Sequence, residues 1–205
     1  MRVAYNKKVA VVAGTVLMLV ANIAAAQAPN LVRLRATIDR VDGEMLDVKS
    51  RDGMTMKVQL APNAPVNEVV KASLSDIKNG AYIAVTAMPQ PDGSQKAVAI
   101  LIFPEAMRGV AEGFRPWDLS PQSTMTNATV ATQVSSTEGE KLTVNYKDGE
   151  KTVIVPPTAE IVTYKKASAA DLKPGQKIFV AAAKKLPDGT LEAPNVSFGD
   201  YGVWR

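Results

Sequence analysis

The chain has 205 residues, with 24 Lys and Arg against 20 Asp and Glu, no Cys and no His. Without Cys there is no disulfide, thiol nucleophile, lipid-modified N-terminus or covalent haem attachment. Without His the usual zinc sites, the Ser-His-acid triad and the commonest general base near neutral pH are gone. Any catalysis would fall to carboxylates, Lys, Tyr or a Ser-Lys pair, so a protein that is not an enzyme and needs no cofactor is expected.

The N-terminus begins with Arg2, Lys7 and Lys8, continues with an apolar run over residues 9–20, and ends in Ala24, Ala25 and Ala26. That is the layout of a secretory signal peptide over residues 1–26, cut after Ala26, and the apolar run is short for a membrane span. The expected address is periplasmic or secreted, with no membrane span after cleavage. Residues 1–26 hold three cations and no acid, leaving 21 cations against 20 anions from Gln27 onward. The basic character of the precursor is therefore no argument for nucleic acid as a partner.

Beyond the signal the chain repeats itself. Leu46 and Leu142, Val48 and Val144, and Gly53 and Gly149 are each 96 residues apart. "ASLSDIKNG" at 72–80 matches "ASAADLKPG" at 167–175, and "QPDGS" at 90–94 matches "LPDGT" at 186–190. Such regularity indicates a tandem duplication.

Each copy reads as β structure. Met54, Met56, Val58 and Leu60 alternate with polar residues, as do Leu142, Val144 and Tyr146, the period of a half-buried strand. Residues 83–87, 96–103 and 178–183 supply further strands. Asp-Gly pairs at 42–43, 52–53, 92–93, 148–149 and 188–189 mark hairpin turns. One short helical turn per copy is expected, capped by Ser73 or Ser168 with an Asp three residues on, and stopped by Gly80 or Gly175. Three strands, a turn and two strands fit a small OB-like β-barrel. The expected fold class is all-β: two tandem OB-like barrels at 27–104 and 126–205, joined by an ordered junction at 105–125. The alternative is a pair of open sandwich-like meanders.

The opening "VDG…L.VKSRDG…V.LAP", the segments "SLSDIKNGAYIAVTA" and "DLKPGQKIFVAA", and the turn "PDGS" resemble the bacterial family called domain of unknown function 5666. The likeness covers residues 33–103, and more weakly 127–198; the junction resembles exported members with two such units. The resemblance implies no established activity. Relatives sometimes carry transporter-component labels, including metal-transport permease, and a His commonly stands where Phe114 stands here.

What both copies share is best assigned to the fold, so the shared Ser and Asp read as a cap and not as a cation site, which needs six to eight oxygens for calcium. The six Met beyond the signal could hold Cu(I), yet Met54 and Met56 read as core and are replaced by Glu150 and Thr152 in the second copy. Aromatics are too few and scattered for a nucleic-acid platform. Glu105, Glu112 and Asp118, interspersed with Arg108 and Arg115, read as a salt-bridged surface.

The junction belongs to neither copy. It holds Phe114 and Trp117, stiffened by Pro116 and Pro121, and its composition is wrong for a flexible linker. Two readings stand: a rigid clamp with Trp117 in the groove between the units, or a docking strip of Phe114, Arg115, Trp117 and Asp118 for an envelope protein or small ligand. Tyr201 and Trp204 in the tail pose the same choice. No metal site is expected. The function expected is that of an exported binding or scaffold module, with a metal- or ligand-binding transport accessory and a carboxylate hydrolase as alternatives.

Overall fold

The structure is a computed structural model describing residues 31–136 and 139–200. The expected signal segment, Tyr201 and Trp204 lie outside the described residues. The first repeat supplies β1 (Leu31–Asp42), β2 (Met45–Ser50), β3 (Thr55–Leu60), β4 (Val66–Lys71), β5 (Tyr82–Pro89) and β6 (Gln95–Ile102). The junction holds β7 (Gly113–Pro116). The second repeat supplies β8 (Thr124–Ser136), β9 (Gly139–Tyr146), β10 (Gly149–Val155), β11 (Glu160–Ala167), β12 (Lys177–Lys185), β13 (Leu191–Ala193) and β14 (Val196–Phe198).

Alternation makes these strands: Leu46 and Val48 in β2, and Leu142 and Val144 in β9, are fully buried while their neighbours turn outward. Residues 74–76 and 169–171 form single 3-10 turns. In the first, Asp76 Oδ2 accepts from the Ser73 N–H at 2.8 Å and from its hydroxyl at 2.7 Å. Asp171 receives Ser168 in the same way, at 2.8 Å for both bonds. The capping contact thus secures a turn too short to be an α-helix. Met54 departs from the expected core. It precedes β3, is 57% exposed, and its N–H is drawn to Ser50 Oγ in the β2–β3 hairpin.

The pairing interleaves the repeats. β1 pairs with β2, β2 with β3, β3 with β13, β13 with β12 and β12 with β1, so five strands close into a barrel. A second closed circuit of five runs β8–β9–β10–β6–β5 and back to β8. Each circuit takes three strands from one repeat and two from the other. Segments 27–104 and 126–205, expected to enclose one barrel each, therefore each contribute to both. The cause lies in β4 and β11, which the sequence reading missed. They pair antiparallel with each other, from Val162 opposite Lys71 to Ala167 opposite Val66. That crossing carries β5 and β6 to the second repeat and β12 and β13 to the first.

Equivalent joints confirm the exchange. The Gly175 N–H donates to the Ile38 carbonyl and the Gly80 N–H to the Val130 carbonyl, both at 2.7 Å. Both glycines have positive φ, +87° and +84°, a conformation that a side chain would strain. Three apolar clusters follow. One fills the first circuit around Ile38, Leu46, Val48 and Ile178. A second fills the other around Ile83, Ile100, Val130 and Leu142. The third is the seam, where Val69, Leu101, Met125, Val162 and Phe179 meet.

Candidate functional site

Arg33 and Arg35 stand two apart in β1, so both leave the face opposite the buried Leu34 and Ala36. Arg35 is itself only 8% exposed. A buried guanidinium requires a counter-charge and acceptors, and the junction delivers them.

The junction is a strap. After a 3-10 turn at Glu105–Met107, β7 pairs antiparallel with β8, Gly113 opposite Asn127 through Pro116 opposite Thr124. The Val110 carbonyl accepts from the Tyr82 hydroxyl at 3.1 Å and from Asn127 Nδ2 at 3.0 Å. The Trp117 N–H then donates to the Ser123 carbonyl at 2.7 Å, turning the chain back into β8. This turn brings Asp118 over Arg35, which grips it with two bonds: Nη1 to Oδ2 at 2.8 Å and Nη2 to Oδ1 at 2.9 Å. Arg33 Nη1 adds a contact at 3.1 Å. Burial pushes the Asp118 carboxyl up, but the bonds from Arg35 and Arg33 and their charges outweigh it and hold it at about 2.

Trp117 lies half-buried against the seam with Phe103 and Tyr164. Arg33 is stacked on its ring with Cζ 3.9 Å from the centroid, and Arg115 approaches within 5.8 Å. Arg115 donates to the Ala111 carbonyl at 2.8 Å. Burial, and then the charge of Arg33, lower its pKa. Phe114 turns away from this group. It is 39% exposed, and its ring meets only the Lys151 ammonium, 4.7 Å from the centroid, among the contacts described. Of the four candidate residues, three therefore converge and Phe114 does not. Among the described residues neither Arg35 Nε nor Trp117 Nε1, both buried, has a hydrogen-bond partner.

Beside the Arg–Asp clasp opens a cavity of about 590 Å³. Arg33, Arg35, Arg51 and Lys185 give it four cations against Asp52 and Asp118, and Met54, Met56 and Leu191 give it an apolar wall. Among the described residues no three His, Cys, Asp or Glu side chains stand together to hold a metal ion. Nor is any described helix long and apolar enough to cross a membrane. The sequence reading named Asp118 and Trp117 but not their partners in β1. The signal was there in "LVRLRATI": two arginines at strand spacing, flanked by core residues, on a face that had to meet something anionic.

No family model, curated protein or solved structure matches the chain.

Proposed function

We propose that the chain is an exported, non-enzymatic binding module of the cell envelope, built from two OB-like units, with its ligand taken in the cavity beside the Arg33–Arg35–Asp118 clasp. One observation carries this reading: a 590 Å³ space that joins a cationic wall to an apolar one. This is the composition of a site for an anion with an apolar body. The missing Cys and His, the signal-like N-terminus and the motifs resembling the uncharacterised family support the same reading. The strap serves as the clamp: β7 is a strand of the second circuit's sheet, and Asp118 is held by β1 of the first.

A thermal-shift panel on the purified protein, covering organic acids, phosphate, divalent ions and Cu(I), tests the proposal. Stabilisation by an anionic compound is expected, and it should be abolished by Arg51→Glu with Lys185→Glu. Saturable turnover of an envelope substrate, lost on one polar substitution, overturns it. A shift with metal ions alone would favour the transport-accessory reading instead.

A further inference from the structure

We propose that the cavity is a strand-docking groove, which receives an extended acidic peptide of another protein along the open edge of β1. This rests on the binding reading above and names its ligand class. The argument comes from comparing the two halves of the molecule.

β1 and β8 are equivalent strands: each shows a register shift at the same place, Ile38/Arg40 and Val130/Thr132, and each receives a glycine N–H at the first of those residues. Arg33 and Arg35 therefore correspond to Met125 and Asn127. In the second half, residues Thr124–Asn127 of β8 pair with β5 on one side and with β7 on the other. In the first half, the matching stretch of β1 pairs with β12 on one side. On the other side β2 begins only at Ala36, and among the described residues no strand takes the place of β7. On that side the Arg35 carbonyl accepts the Arg51 N–H at 3.3 Å; the pairing of β1 with β12 slips between Val32 and Leu34, and Arg33 has no strand partner among the described pairings.

The cavity lies along this edge, lined by Val32, Arg33, Leu34 and Arg35 on one wall and by Ser50, Arg51 and Asp52 on another. The second wall has its counterpart too. Lys147 corresponds to Arg51, and its N–H donates at 2.9 Å to Glu112, the residue just before β7. In the first half the Arg51 N–H goes to Arg35 instead, so the position that the strap fills in one half and that stands open in the other is the one beside Arg33, matching Met125.

Charge selects the occupant. The strap sets Arg115 opposite Met125; a peptide in the open groove meets Arg33 at that position, with Arg51 and Lys185 nearby. Arg33 is already paired with Asp118, so the acidic residue belongs where it faces Arg51 and Lys185, because opposite charges across a strand pair stabilise and like charges oppose it. Main-chain bonds to an exposed edge with side chains selected by flanking pockets is an established mode of peptide capture.

The test uses a fluorescein-labelled peptide with the sequence of residues 112–118, in which Glu replaces the residue matching Arg115. Saturable binding to the purified protein is expected by anisotropy. Arg51→Glu with Lys185→Glu, both at exposed positions, should weaken it at least about tenfold. Amide exchange at Arg33 should slow on binding. The inference is overturned by no binding, by binding that leaves the Arg33 amide unchanged, or by an Arg33 amide already protected before peptide is added, which assigns the groove to the chain's own ends. Glutamate or inorganic phosphate bound as tightly as the peptide also overturns it, while leaving the binding-module reading in place. If neither peptide nor small anion binds, both fall.

Discussion

Arg35 holds Asp118 through two parallel hydrogen bonds, 2.8 and 2.9 Å long, between residues 83 apart in sequence. The arginine is buried and the aspartate is 45% exposed. The pair is therefore asymmetric: the arginine depends on the aspartate far more than the reverse. Replacing Asp118 by Ala leaves a buried guanidinium without its counter-ion. The expected loss is about 2–3 kcal/mol, below the range for fully buried pairs because water can reach the vacated place. Asp118→Asn keeps one acceptor and should lose less. Urea unfolding of the two variants measures the difference.

Acid should act through the same carboxylate. Its folded-state pKa is depressed to about 2 from an ordinary 3.8, so the clasp contributes fully above the ordinary value. That contribution is lost as pH falls from about 4 through 2. After discounting for the exposure of Asp118, the contribution is roughly 1 kcal/mol. Stability curves for the wild-type protein and Asp118→Asn should converge in that window, and parallel curves would assign the acid response to other carboxylates.

Trp117 separates shape from polarity. Its Nε1 is buried with no acceptor among the described residues, so the ring and not the N–H is expected to carry its contribution. Trp117→Phe should cost no more than about 1 kcal/mol, because the ring face under Arg33 survives. Trp117→Ala removes the ring from the seam and should cost about 2–4 kcal/mol. Equal losses in thermal melts of the two variants would locate the contribution of Trp117 in its N–H after all.

The interleaved pairing makes the whole chain the equivalent of two repeats that have exchanged their last strands. Residues 31–103 alone carry β1 to β6 and should repeat the exchange between two copies, eluting as a dimer by light scattering. A stable monomer would show that β5 and β6 can fold back onto β1 to β3, and that the crossing of β4 with β11 is what prevents it in the full chain.

Much of this was legible from alternation and repetition. Leu142 and Val144 are buried and Thr143 faces outward because strand period alone decides it. The Asp76 and Asp171 caps were readable from residue type and spacing. The exchange was not. A duplicated sequence states that two equivalent barrels can form, but β5 fits the first repeat's partners and the second repeat's equally well by pattern. The choice rests on β4 and β11, whose "VNEVVK" and "EIVTYKKA" carry only a weak alternation. The junction was half legible: its aromatics and prolines announced order, and Trp117 does pack. Phe114 shows the limit, since an aromatic residue two places before a proline gives no sign of which face its strand will present.

The crossing also sets a timetable. The second circuit has all its strands once Val155 has been made, whereas the first waits for Leu191 to Ala193. During that interval β1 to β3, the earliest strands to emerge, have no partners with which to close. Leu46, Val48 and Val58 stay open to water, and the outer edge of β3 is free to pair with a stranger. The oldest part of the chain is the last to be sealed, and a holdase guarding unfolded chains would find its longest engagement there.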